Sequence, residues 1–271
     1  MMGKRNKTDF LMRLVFLAFL FFSFVAPSVV PAQQTEGEEI PNVDQEALEI
    51  LKKATDYLTG LKRLHLKAYK EQDVVQESGQ KLQFSTSFEV FLKRPDRLFV
   101  FFTDDDGNQR RLWYDGETVT MCDEKEKVYG QIAVAETIDK MLDYLEMVIR
   151  YPLPLADLFY NDLSSLSSRA LSGMYLGISF VENVACDHLA FRGESVDWQF
   201  WVDRGKKPLI QKIVITYKEL PGEPQLSARL SEWDVKPTLA DGLFQFSKPE
   251  GARRIQVIGS KRFNPQKRGE Q

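Results

Sequence analysis

Residues 197–217 read DWQFWVDRGKKPLIQKIVITY, and this stretch decides the fold class. It contains two β-strands, 198–203 and 209–217, around the turn Arg204-Gly205-Lys206-Lys207-Pro208. Gly205 is expected to supply the positive φ of a tight hairpin, and Asp203 and Lys206 suit its solvated ends. Successive strand side chains point to opposite faces, so Trp198, Phe200 and Val202 share one face and Gln199, Trp201 and Asp203 the other. A strand so heavy on one side is made to cover an apolar surface, either an ordinary core or a greasy ligand.

The same period of two runs outward in both directions. Downstream, Pro221-Gly222-Glu223-Pro224 leads into a strand over 226–235, and 243–246 reads as a short edge strand. Upstream lie strands over 186–192 and 174–181. Further back, 64–76 and 81–93 flank the turn Glu77-Ser78-Gly79-Gln80, and Phe84, Phe88, Val90 and Leu92 share one face of the second strand. Arg94-Pro95-Asp96 breaks the run. Residues 97–103 follow, with Leu98, Val100 and Phe102 on one side and Phe99 and Phe101 on the other. Turns at 104–108 and 115–116 separate strands over 109–114 and 117–122, and 127–130 closes the meander. Strands every eight to twelve residues joined by Gly/Asp turns predict one continuous antiparallel sheet.

Three segments carry helical spacing instead. In residues 43–61, Asp44 is the N-cap and Ala47, Leu48, Leu51, Ala54, Leu58 and Leu61 form the apolar face. Residues 135–151 repeat through Ile138, Met141, Leu142, Leu145, Val148 and Ile149 until Pro152 and Pro154. Residues 155–168 give a shorter segment through Leu158, Phe159, Leu163 and Leu166. Helices inserted into a run of strands need a surface to pack on, and the sheet face is the large one.

The ends differ from this body. Residues 1–32 have the form of a secretory signal: Lys4, Arg5, Lys7 and Arg13, then an apolar run over 14–25, then Val30-Pro31-Ala32 as a cleavage site. The apolar run is shorter than the ~20 residues of a spanning helix. No cysteine follows it to carry a lipid anchor, so cleavage after Ala32 is expected to yield a soluble exported chain. Residues 33–42 form an acidic linker, 43–250 a single domain and 251–271 a polar tail. The mature chain has 32 basic and 38 acidic residues, which argues against a nucleic-acid partner. Cys122 and Cys186 enter a compartment that permits disulfides, and both lie on strands, so a bridge between them is open.

Catalytic motifs are missing. His65 and His188 are the two histidines, and no His-Glu-x-x-His, Cys-x-x-Cys, Gly-x-Ser-x-Gly or glycine-rich phosphate loop occurs. Cys186 and His188 share a face but have no further ligands nearby in sequence, and a buried thiol beside a hydrogen-bonded imidazole is the simpler reading. The acidic turn 104–108 fails the EF-hand register, because aligning Gly107 puts Phe102 and Trp113 at ligand positions. No catalytic residue, metal or cofactor is therefore assigned, and the chain is read as a non-enzyme.

What remains is apolar surface. Phe84, Phe88, Val90, Leu92, Leu98, Val100, Phe102, Leu112, Tyr114, Trp198, Phe200 and Val202 line one side of the sheet. They form a core if the helices fit tightly and an acyl-chain pocket if they do not. At ~0.8 kcal/mol per buried methylene, such a pocket holds lipid without any polar recognition motif.

Several stretches together resemble one family. They are Arg94-Pro95-Asp96-Arg97-Leu98, the Tyr114-Asp115-Gly116 turn with Thr118-Val119-Thr120, Cys186-Asp187-His188-Leu189-Ala190-Phe191, and residues 197–203 followed by Pro208 and the strand 213–217. The resemblance is to predicted periplasmic proteins of unknown function grouped with the outer-membrane lipoprotein carriers (LolA/LolB-like), over roughly residues 43–250. It implies an α+β fold, a curved antiparallel sheet forming an incomplete or half β-barrel, with α-helices packed in its concave face as a lid. It also implies that the cavity holds lipid or lipoprotein acyl chains in the periplasm. In the carriers an arginine near the second strand pins the lid. Here 84–93 contains none, and Lys93 and Arg94 come only at its end. The expected partners are lipid or lipoprotein acyl chains, and the chain is expected to be a monomer. An alternative reading makes the half-barrel a scaffold for envelope protein interaction or stress sensing, with Phe99, Phe101 and Trp201 exposed.

Overall fold

The alternation seen in sequence becomes a twelve-stranded sheet. The computed structural model describes residues 43–257 apart from 135, 152 and 154, so the signal segment 1–32, the linker 33–42 and the tail beyond 257 lie outside the described residues. A six-strand meander comes first: β1 (Arg63–Val75), β2 (Lys81–Lys93), β3 (Arg97–Asp104), β4 (Gln109–Tyr114), β5 (Thr118–Asp123) and β6 (Val128–Ala133). The second half adds β7 (Ser172–Val181), β8 (Val184–Arg192), β9 (Val196–Asp203), β10 (Ile210–Tyr217), β11 (Gln225–Asp234) and the short β12 (Arg253–Arg254). The strand order is β12-β6-β5-β4-β3-β2-β1-β11-β10-β9-β8-β7. The two halves meet at the antiparallel β1–β11 pair, and the sheet is curved and open. β12 lies past residue 250, where the domain was expected to end, and pairs in parallel with β6.

Directly opposed residues share a face, so the pairing registers spell out the inner wall. One rank runs Leu64, Leu92, Leu98, Tyr114, Val119, Ile132, and the next runs Leu66, Val90, Val100, Leu112, Met121, Gly130. Beyond the seam, Leu230 opposes Ala68, and Ile213, Phe200 and Leu189 continue from Ala228. These side chains join one buried core with the helices.

Two covers lie on that wall. Helix α1 (Gln45–Gly60) buries Ala47, Leu51, Ala54 and Leu58 over β7, β8 and β9. Its N-cap Asp44 accepts from the Glu46 amide at 2.9 Å and from the Tyr175 amide at 3.3 Å, which ties the helix start to the β7 edge. Helix α2 (Ile138–Tyr144) is capped by Thr137 and continues as a π-helical turn over Leu145–Ile149. Its Ile138 amide donates to the Pro95 carbonyl, and the Tyr114 hydroxyl donates to the Thr137 carbonyl. Burial pushes that Tyr114 hydroxyl up to about 12.

Three expectations are corrected. Residues 155–168, expected as a helix, form together with Arg150, Tyr151 and Leu153 just before them a strap, with a 3-10 turn at Ala156–Leu158 and a short α3 at Ser165–Ser168. Its apolar spacing fits a chain pressed onto the wall at intervals as well as it fits a helix. Residues 243–246 are not an edge strand: a 3-10 turn at Asp241–Phe244 buries Phe244, and β12 takes the edge instead. Gly205 has no positive φ; the hairpin closes because Asp203 Oδ1 accepts from the Gly205 amide at 2.7 Å and the Asp203 amide donates to Leu209 O at 2.8 Å.

The two cysteines, whose pairing the sequence leaves open, are both free in the fold. Cys122 on β5 and Cys186 on β8 lie on opposite halves of the sheet, and both are buried. Burial pushes the Cys186 thiol up to about 11 and raises that of Cys122. The folded protein is therefore expected to give no reaction with a thiol reagent at pH 8, and both thiols after denaturation. Reducing agent should leave its melting temperature unchanged; a reductant-sensitive transition would contradict this.

Candidate functional site

The site is where the strap meets the inner wall. Leu66, Ala68, Phe88, Val90, Leu98, Val100 and Phe102 face Leu153, Leu155 and Phe159 of the strap across an apolar hollow of about 10 Å³. That is room for about one water-sized probe, with no polar partner to hold a water there. A drug-sized ligand needs on the order of 300–1,000 Å³. As it stands, the site is filled by the strap's own side chains.

Besides the apolar contacts of its buried Leu158, Phe159 and Leu163, the strap is held by a polar latch. The Arg94 guanidinium sits at the end of β2 and donates from Nη1 to Phe159 O at 2.7 Å and Asn161 Oδ1 at 2.9 Å. Its Nη2 donates to Tyr160 O at 3.2 Å. Asp139 of α2 accepts from the Asn161 amide and side chain at 3.2 and 3.0 Å, and Asp143, one turn on, accepts from the Tyr160 hydroxyl at 2.9 Å. Burial lowers the Arg94 pKa, opposed by Asp139, and burial together with the bond to Asp143 raises that of Tyr160. Two non-glycine residues of the strap, Arg150 and Leu155, have φ near +60°. Left-handed backbone costs such residues about 1 kcal/mol or more each, so contacts with the rest of the fold impose this path.

The twelve wall residues read from sequence fall into three groups. Phe88, Val90, Leu98, Val100 and Phe102 border the hollow, and Leu92, Leu112 and Tyr114 are buried beside it. Trp198, Phe200 and Val202 lie in the other half of the sheet, on the wall that α1 covers. Phe84 is the exception, 48% exposed, because the apolar wall stops at Phe88 and β2 runs on past it. Sequence reasoning missed Leu66 and Ala68, which the alternation of 64–76 does contain, and the strap residues, which had been read as helical. It also left Arg94 without a role.

On the outer face, Phe99 and Phe101 are half-buried. Phe99 sits in a ladder of rings, His65, Phe91, Phe99 and Trp113, with neighbouring centroids 4.4, 5.8 and 5.5 Å apart, and Phe246 extends it to Tyr129. The Arg111 guanidinium lies over Phe101. Trp201 is only 8% exposed: His188 stacks on it at 4.0 Å, the Lys212 ammonium stands 4.6 Å from its ring, and its indole N–H donates to Ser179 Oγ. Of the three residues that the alternative reading needs exposed, Trp201 is thus buried and Phe99 and Phe101 are half-buried. Cys186 and His188 are the buried thiol and hydrogen-bonded imidazole expected, with His188 Nε2 3.0 Å from Gln199 Oε1.

Among the described residues, no group of three or more His, Cys, Asp or Glu side chains is placed to hold a metal ion. A second, open cleft of about 370 Å³ is lined by Lys93, Asp96, Arg97, Asp115, Glu117, Asp241 and Gln245. Its walls are charged, which does not suit an apolar guest.

No curated protein sequence matches the chain. Among solved structures it is similar to the Mycobacterium tuberculosis lipoprotein LppX, at 13% identity over 72% of this chain and 98% of that one, with a TM-score of 0.49. It is also similar to LprF from Mycobacterium bovis, at 13% identity over 73% and 98% with a TM-score of 0.47. A LolA superfamily protein from Nitrosomonas europaea gives 11% identity over 74% and 97% with a TM-score of 0.37. The model of one family matches residues 47–258, which takes in the strap, the latch and all twelve strands of the sheet, and the chain belongs to that family, described as predicted periplasmic protein (DUF2092).

Proposed function

We propose that this chain is a non-enzymatic binding protein of the periplasm that shelters the acyl chain of a lipid or lipoprotein against the inner wall, in the space now held by Leu153, Leu155 and Phe159. The observation that carries the reading is the composition of the cover. Three apolar side chains fill the trough, yet the strap bearing them is latched by hydrogen bonds to one arginine and two aspartates rather than built into a helix. Polar latches exchange readily for water, whereas a fully interdigitated core does not. Releasing the strap would expose a continuous wall from Leu66 to Phe102. The acidic mature chain fits no nucleic-acid role, and one molecule supplies both wall and cover, so a monomer suffices.

The test is native mass spectrometry of the mature protein, residues 33–271, purified from envelope without detergent, with solvent extraction of any bound lipid. A stoichiometric lipid adduct is expected. Absence of any adduct, together with no uptake of the neutral apolar dye N-phenyl-1-naphthylamine, would rule the reading out. The alternative, an envelope interaction or stress-sensing scaffold, relied on exposure of Phe99, Phe101 and Trp201; Trp201 is buried and the two phenylalanines are half-buried, which weakens its support.

A further inference from the structure

The inner wall carries a lysine on β1, one of the two strands that form the seam. Lys70 lies on β1, directly between Thr86 of β2 and Ala228 of β11, in a rank that runs Asp104, Thr86, Lys70, Ala228, Ile213, Phe200, Leu189. It is 9% exposed. Its ammonium stands 5.9 Å from the centroid of Phe88, a wall of the hollow, and Ala68, two residues back on the same face, is another. The lysine therefore ends the apolar trough at one side.

Burying an ammonium is costly unless its donors are satisfied. Lys70 has three N–H donors, and among the described residues one acceptor reaches them, Gln72 Oε1 at 3.0 Å. Among the described residues no carboxylate forms an ion pair with it. Asp104, the acid in its rank, is held by Arg110, which also reaches Asp123 at 3.3 Å. Arg110 is thus committed, and Lys70 is the cation with spare donors. Burial lowers its pKa, which Asp104 partly offsets. A methionine here would continue the wall at no such cost.

We propose that Lys70 is the head-group anchor of the site, and that the ligand is an acyl amphiphile whose anionic oxygen group, a carboxylate or a phosphate, binds the Lys70 ammonium while its chain lies along Ala68, Phe88 and Val90. This rests on the acyl-chain reading above and adds the charge class of the ligand. The anion would meet two unused N–H donors at the edge of a water-poor trough, where charge-assisted hydrogen bonds are strong. Gln72 beside it keeps the ammonium turned along the wall.

The experiment is competition against N-phenyl-1-naphthylamine bound to the mature protein. Palmitate is compared with hexadecanol, and palmitoyl lysophosphatidate with monopalmitoylglycerol. At least one anion should compete about tenfold more strongly than its neutral partner, the equivalent of one charge-assisted bond. The stronger pair identifies carboxylate or phosphate as the group. In Lys70→Met the preference should fall to within about twofold while the neutral competitors are unchanged, and Lys70→Arg should keep it. A melting temperature at or above wild type shows that Lys70→Met is folded, since removing a buried charge relieves a cost. Equal competition by acid and alcohol, or a preference that survives Lys70→Met, overturns the anchor while leaving the apolar site intact. No dye binding at all overturns both.

Discussion

Replacing Arg94 by alanine is expected to lower the melting temperature by roughly 6–12 °C and to raise dye uptake by the apolar site several-fold. The first figure comes from the latch. Three donations from one part-buried guanidinium to strap oxygens end together, and the Phe159 and Tyr160 carbonyls lose their partners. Hydrogen bonds to charged groups contribute about 1.5–3 kcal/mol each but are not additive, so a net loss of about 3 kcal/mol is reasonable. At about 2–4 °C per kcal/mol for a domain of this size, the shift follows. The second figure comes from what the strap covers. With Arg94 gone, Asp139 and Asp143 remain to hold it, and Leu153, Leu155 and Phe159 leave the wall more often. Hydrogen exchange resolves the two effects: amides of residues 155–163 should lose protection while those of β9 and β10 keep theirs. Uniform loss of protection across the sheet would show that Arg94 stabilises the whole fold and latches nothing.

Two phenylalanines of similar burial should respond in opposite ways. Phe159 belongs to the strap and borders the hollow; Phe200 belongs to the wall beneath α1. Each truncation to alanine removes a buried ring, at a cost of about 3–5 kcal/mol if the surroundings stay rigid. For Phe159 the new space joins the existing hollow, and dry apolar space of that kind accepts small apolar guests. Phe159→Ala is expected to bind the dye several-fold more tightly, and saturating dye should restore part of its lost melting temperature. Phe200→Ala is expected to lose stability without gaining affinity, because its space opens under a helix that no latch releases. Titrations of both variants decide it, and an equal gain at Phe200 would mean that the two halves of the wall form one pocket.

Much of the fold was legible because strands advertise their faces. Trp198, Phe200 and Val202 were separated from Gln199, Trp201 and Asp203 by alternation alone, and the registers place them as expected. Alternation does not say where a wall ends, however. Phe84 keeps the period of Phe88 and Val90, yet its exposure depends on the neighbouring strands and on the cover, neither of which is written in β2. Nor does the outer face of a strand mean solvent: Trp201 points outward and is sealed by His188 and the stem of Lys212, long side chains that cover apolar surface. Arg94 was the least visible. Two of its three partners are backbone carbonyls far along the chain, and any residue supplies a carbonyl, so no sequence pattern marks the far end of that contact. Lys70 was passed over, because its burial depends on β11, which pairs with β1 from the other end of the chain.

That pairing has a consequence for how the molecule is made. Each half of the sheet grows from neighbouring hairpins, but the seam joins Ala68 to Leu230, so the first strand waits for nearly the last before its second edge is satisfied. Until then β1 offers a bare row of amides and carbonyls flanked by Leu64, Leu66 and Ala68, the kind of edge that recruits the wrong strand. Arg63, Lys67 and Lys70 put charge along that strand, the device by which open edges discourage mispairing during assembly.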